Sequence, residues 1–177
     1  MRAMTLALAT AAVLAAAAPA HAIDSFSVEA GTGNATHMWR IGAQLDWQRR
    51  WLQGAHWHVG AYWDFQVGEW RGRSAAGDNQ RLVDVAATPV FRLQRNGLSG
   101  PFLEGAVGAH LLSQTRINAS RRFGSAFQFG SHIGLGYRFG ERGGLEVSLR
   151  YQHLSNADIE KPNHGINFRQ LRFQVRF

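Results

Sequence analysis

Cysteine is absent from the 177 residues. Disulfides therefore do not hold this fold, and thiol nucleophiles and thiolate metal sites are excluded. Past the first 22 residues, no apolar run reaches the roughly 20 residues that a membrane-spanning helix needs. That argues against a helical inner-membrane protein. Acidic residues are in deficit, with 12 Asp and Glu against 19 Lys and Arg and a formal net charge of +7. No cluster of carboxylates and imidazoles has the spacing of a metal ligand set. His56 and His58 form an isolated His-x-His pair near a turn, and His110 and His132 stand on a strand face that reads as interior. Neither a metal nor an organic cofactor is expected.

The N-terminus is a targeting segment. Arg2 supplies a basic start, Thr5 to Ala18 is an Ala/Leu-rich apolar run, and Ala20-His21-Ala22 is a small-x-small cleavage site. Residues 1–22 thus read as a cleaved secretory signal peptide, and 23–177 as the mature domain. Export makes nucleic acid an implausible partner for the positive charge. Anionic lipid fits better, above all the phosphates of lipopolysaccharide.

The remaining chain alternates with period two, as strands with distinct faces do. Trp57, Val59, Ala61, Trp63, Phe65 and Val67 interleave with His58, Gly60, Tyr62, Asp64 and Gln66. Leu145, Val147, Leu149 and Tyr151 interleave with Glu146, Ser148, Arg150 and Gln152. The pattern predicts eight strands near 25–32, 36–48, 56–69, 81–93, 101–112, 126–139, 144–155 and 166–177. A soluble sandwich would also alternate, but two features favour a membrane barrel. The polar face carries mid-strand charges (Asp46, Asp64, Asp84, Arg92, Glu104, Glu146, Arg150), which suits an interior where opposite charges pair. The apolar face places Trp39, Trp47, Trp57, Tyr137 and Tyr151 near strand ends, where rings favour the membrane–water interface. The last strand ends on Phe177, like the assembly signal of bacterial outer-membrane barrels. The expected fold is an all-β, eight-stranded antiparallel transmembrane barrel in the outer membrane of a Gram-negative bacterium. Its longer connections, 70–80, 113–125 and 156–165, should face outward.

Most small barrels anchor or adhere, so chemistry has to be argued from particular residues. On the seventh predicted strand, the outward register of Leu145, Val147, Leu149 and Tyr151 continues to His153 and Ser155. Residues at i and i+2 share a face, the relation a general base needs to its nucleophile. Counting back from Phe177 puts Asn167 outward on the neighbouring strand, near His153.

The stretches Tyr151-Gln152-His153-Leu154-Ser155-Asn156-Ala157 and Lys161-Pro162-Asn163-His164-Gly165-Ile166-Asn167 resemble the C-terminal signature of the lipid A 3-O-deacylase (PagL) family. That resemblance implies a serine esterase that removes the ester-linked 3-position acyl chain of lipid A. Its base and nucleophile would be His153 and Ser155. The family's third member, commonly Glu, falls on Asn167, which accepts the imidazole N–H but offers it no charge. Asp158 or Glu160 in the adjoining loop is the alternative orienting group. Asn156, Asn163 and the backbone at Gly165 are candidate oxyanion donors, although Asn and Gly are also ordinary turn residues. Arg121, Arg122, Lys161 and Arg169, with Arg71, Arg73, Arg81 and Arg116, are candidate contacts for lipid A phosphates. Two other readings stay open: a non-enzymatic anchor or adhesin, and a related acyltransferase or phospholipase. The oligomeric state, monomer or homodimer, is also open.

Overall fold

A computed structural model describes residues 23–140 and 144–177. The segment read as a signal peptide lies outside the described residues. Eight long strands close into one antiparallel barrel: β1 (Ser25–Gly33), β2 (Thr36–Trp51), β3 (Trp57–Arg73), β4 (Asn79–Arg95), β5 (Gly100–Leu112), β8 (Phe127–Phe139), β9 (Leu145–Ser155) and β10 (Ile166–Arg176). Two short strands, β6 (Arg116–Asn118) and β7 (Arg121–Arg122), form a separate hairpin between β5 and β8. Around the barrel the order is β1-β10-β9-β8-β5-β4-β3-β2, so the first and last strands meet and no edge is left open. Closure satisfies every strand's backbone internally, which bilayer hydrocarbon demands.

The expected strands are all present, with two differences. The β3–β4 ladder extends to Arg73 and Asn79, past the expected ends, with β2 still paired to β3 as far as Gly72 while β5 leaves β4 at Asp84. The connection expected as loop 113–125 contains the β6–β7 hairpin. Strands of three and two residues have no period to read in a sequence.

The two faces of the wall meet opposite environments. Outward side chains such as Phe26, Ile41, Phe65, Val85, Leu103, Ile133, Leu149 and Phe173 are exposed, as a lipid-facing surface requires. Inside, Arg40, Arg92, Arg138, Arg150 and Arg172 face Glu29, Asp64, Asp84, Glu104 and Glu146. Arg150 Nε donates to Glu104 at 2.6 Å, and Arg92 bridges Glu104 at 2.8 Å and Glu146 at 2.7 Å. A buried ion is tolerable only when paired and hydrogen-bonded, and here each guanidinium finds carboxylates on other strands. The lumen is therefore a neutral, cross-linked filling.

At the end that carries the longer connections the filling turns apolar. Met38, Trp70, Leu82, Leu112, Leu154, Ile166 and Phe168 point inward from the strand ends, and the hairpin loop lowers Ile117 and Phe123 onto them. Trp70 meets Phe168 edge-on, with ring centroids 4.9 Å apart. This plug closes the outer mouth and fixes the loops above it.

Candidate active site

Strand β9 sets the register of the site. Its inward positions Glu146, Ser148, Arg150, Gln152 and Leu154 are buried, while Leu145, Leu149, Tyr151 and His153 are exposed to the lipid side. Ser155, half-buried, is the next residue in the outward row. On β10 the outward row reads Val175, Phe173, Leu171, Arg169 and Asn167. Cross-strand pairing puts Asn167 directly opposite His153, and Arg169 opposite Tyr151.

That pairing brings His153 Nδ1 to 2.7 Å from Asn167 Oδ1. With the carbonyl oxygen accepting, the proton sits on Nδ1 and Nε2 is left as the basic nitrogen. Neither Asp158 nor Glu160 makes this contact. Asp158 accepts from Asn163 Nδ2 at 3.2 Å, and Glu160 is exposed.

Gly165 closes the opposite side of the imidazole. A Cβ there would lie 2.9 Å from His153 Cε1 and 3.5 Å from Nε2, and its φ of +57° favours glycine independently. Of the proposed donors near Gly165, Asn163 is half-buried, its Oδ1 accepting the Asn156 N–H at 3.2 Å. Asn156 requires a correction. Its side chain is fully buried, and Nδ2 donates to the Glu160 carbonyl at 2.6 Å and to Ser125 Oγ at 3.4 Å. Being the even-register residue after an outward Ser155, it points inward and ties the loop together; its side-chain donors are not free for an oxyanion.

Two sets of residues that sequence reasoning missed hold the site in place. Asn34, at the tight β1–β2 turn, accepts the Asn167 N–H on its Oδ1 at 2.8 Å. Asn34 and Ala35 both have positive φ (47° and 55°), the geometry of a two-residue hairpin turn. A Cβ at the preceding Gly33 would fall 1.7 Å from the Asn167 carbonyl oxygen, so only glycine permits this approach. The second set comes from the hairpin loop. Phe123 forms a bridge with Asn163, the Arg122 N–H donates to His164 Nδ1 at 3.3 Å, and Gly124 packs against the Glu160 backbone. The short gap between the predicted strands 25–32 and 36–48 leaves room only for a turn, and nothing in those three residues marks a reach to β10.

The basic residues divide by place. Arg169 borders a hollow of about 360 Å³ with Thr32, Asn34, Tyr151 and Asn167, beside the imidazole. Lys161 is exposed in the loop carrying Asn163, and Arg122 is exposed where β7 meets that loop. Arg121 is only half-exposed, with Nη1 donating to the Ser120 carbonyl. Among the described residues there is no group of three or more His, Cys, Asp or Glu side chains fit to hold a metal ion.

Comparison with known proteins places this arrangement in context. Residues 35–176 match the family model described as lipid A 3-O-deacylase (PagL). The lipid A deacylase PagL of Pseudomonas aeruginosa is 31% identical over 159 residues, covering 89% of this chain and 88% of that protein. The lipid A deacylase PagL of Bordetella bronchiseptica is 40% identical over 93 residues, covering 52% of this chain and 49% of that protein. The crystal structure of the outer membrane enzyme PagL superposes with a TM-score of 0.76 at 28% identity, covering 86% of this chain and 99% of that one.

Proposed function

The chain belongs to the lipid A 3-O-deacylase (PagL) family, and from that premise we propose that it works as a serine esterase, with Ser155 as nucleophile, His153 as base and Asn167 as the group orienting the imidazole. It is an outer-membrane barrel enzyme that hydrolyses an acyl chain from lipid A. The single observation that carries the assignment is the 2.7 Å contact between His153 and Asn167 on the lipid-facing wall, with Ser155 next in the same outward row.

The reaction follows from that arrangement. Nε2 of His153 takes the hydroxyl proton as Ser155 Oγ attacks the ester carbonyl. Donors of the 156–165 loop, Asn163 and the backbone beside Gly165, stabilise the tetrahedral oxyanion. The imidazolium returns its proton to the departing sugar 3-oxygen, leaving an acyl-serine. Water, deprotonated by His153, then attacks that ester and releases the free fatty acid. No redox step or co-reactant other than water is needed.

Placement outside the barrel suits this substrate. The scissile ester lies just below the phosphorylated sugars of the outer leaflet. A site on the outer wall above Tyr151 lets the acyl chain remain in lipid while Arg169, Lys161 and Arg122 hold the phosphates. The filled lumen offers no route for such a chain. Asn167 alters the balance inside the triad: the neutral amide fixes the tautomer but leaves the imidazolium without a counter-charge.

The decisive test is mass spectrometry of lipid A from cells expressing the unsubstituted protein or Ser155→Ala. Loss of one hydroxyacyl mass with the former alone supports the assignment. Gain of an acyl chain would make it a transferase, and deacylation by Ser155→Ala would remove Ser155 as nucleophile.

A further inference from the structure

The barrel order places β3 and β4 diametrically across from β9 and β10. This far wall carries two features the reaction does not use. The first is an apolar groove of about 770 Å³ on the outer surface of the β1–β5 side. It has a stated cause in the register. Ala43, Phe65, Ala87 and Ala109 are successive cross-strand neighbours, so the wall is indented on either side of Phe65. The second is a change of chemistry directly above. The Val67–Val85 pair at the groove is followed on the same outward column by Glu69–Val83, and then by Arg71–Arg81.

Two arginines directly opposite each other in a ladder repel. Glu69 forms an ion pair with Arg71. No carboxylate among the described residues pairs with Arg81 or Arg73. Asp78 lies at the tip of the ribbon, and Arg116 on β6, which packs against β3 and β4, adds another exposed cation. Four arginines thus stand with two carboxylates at this rim. An anion supplied from outside would turn the repulsion into a pair of charge-assisted hydrogen bonds.

The vertical spacing identifies the kind of anion. Four residues separate Val67 from Arg71, about 13 Å along the strand and about 10 Å in height at ordinary barrel tilt. An apolar body at groove level under an anionic head at arginine level describes an amphiphile of the outer leaflet. The groove spans β1 to β5 and reaches Phe127 of β8, wider than two acyl chains need, and the paired guanidiniums suit a bisphosphorylated head. We propose that the far wall binds a second lipopolysaccharide molecule, its lipid A acyl chains in the groove around Phe65 and a phosphate on Arg71 and Arg81. This lipid is held and not cleaved. The proposal depends on the outer-membrane location and not on the assignment of Ser155.

The test uses the Ser155→Ala protein, so that bound lipid is not consumed, titrated in detergent with hexa-acylated bisphosphoryl lipid A and read by native mass spectrometry. Two lipids should bind at saturation. Adding Arg71→Ala with Arg81→Ala should weaken the second binding at least about tenfold, and Ala87→Trp, which fills the groove, should do the same. Heat-modifiable electrophoretic mobility checks that each variant is folded. In the active protein, Ala87→Trp should leave turnover of dilute micellar lipid A unchanged; a fall would move the groove into the reaction path and overturn the proposal. It is also overturned if one lipid suffices, if both variants bind two as tightly, or if phosphatidylglycerol or dephosphorylated lipid A fills the second place equally well. A dimeric mass that Ala87→Trp abolishes would give the groove to a second copy of the chain instead.

Discussion

The wall proposed to carry catalysis and the lumen hold similar residue types and use them in opposite ways. In the lumen, Arg, Glu, Asp and His side chains are buried and cross-linked; Arg150 alone reaches Glu104, Glu29 and Asp64 on three other strands. On the wall, His153 has one side-chain partner, Asn167, and lies exposed where a lipid ester can approach. Burial with ionic pairing makes the interior a scaffold whose charges do no chemistry. Exposure with minimal pairing leaves the imidazole a free nitrogen. What separates a structural ion from a reactive one here is which face of a strand it occupies, a difference of one residue in register.

Breaking each region should therefore have a different signature. Ser155→Ala should lower lipid A deacylation by at least about 10⁴-fold, with no change in heat-modifiable mobility or in the denaturant midpoint. Glu104→Ala should do the converse. It removes the carboxylate that Arg92 and Arg150 share, leaving Arg92 to Glu146 and Arg150 to Glu29 and Asp64, and should destabilise the barrel by about 3 kcal/mol in urea unfolding from lipid vesicles, with the rate per folded molecule retained. If its activity falls while its stability holds, the division between scaffold and site is wrong. Gly165→Ala tests how tightly the wall is set. A Cβ pressed against His153 Cε1 should misplace the imidazole and lower kcat about 10²-fold, more than it changes KM. The smallest effect sharpens the contrast. Asn167→Glu lends the wall a charge of the kind the lumen has, and the added charge-assisted hydrogen bond should raise kcat/KM about tenfold. A loss of activity there would mean that the amide, and not a carboxylate, suits this site.

Much of this was legible in advance because a barrel wall has the simplest of periods. Strict alternation along 145–155 and 166–177 was enough to put His153, Ser155 and Asn167 on one face, and the charged partners Glu104, Glu146 and Arg150 on the other. Where the chain leaves that period, the reading lost resolution. In the sequence Asn156 reads equally as an oxyanion donor or a turn residue, since an amide after Ser155 looks available; one step further along the strand, its side chain points inward and braces Glu160. Asn34 and Phe123 were not singled out at all, since they lie well over a hundred and about forty residues from Asn167 and Asn163, respectively, and meet them only through strand closure and loop packing.

By itself, then, the sequence determined the barrel and the polar row on its lipid face, because side-chain direction in a strand depends only on counting by two. Tertiary structure decided which polar group holds the imidazole, which loop amides are spent on bracing, and that the β3–β4 arginines stand across the barrel from the site. Those facts depend on inter-strand register and closure, set by pairings between distant segments that no local pattern encodes.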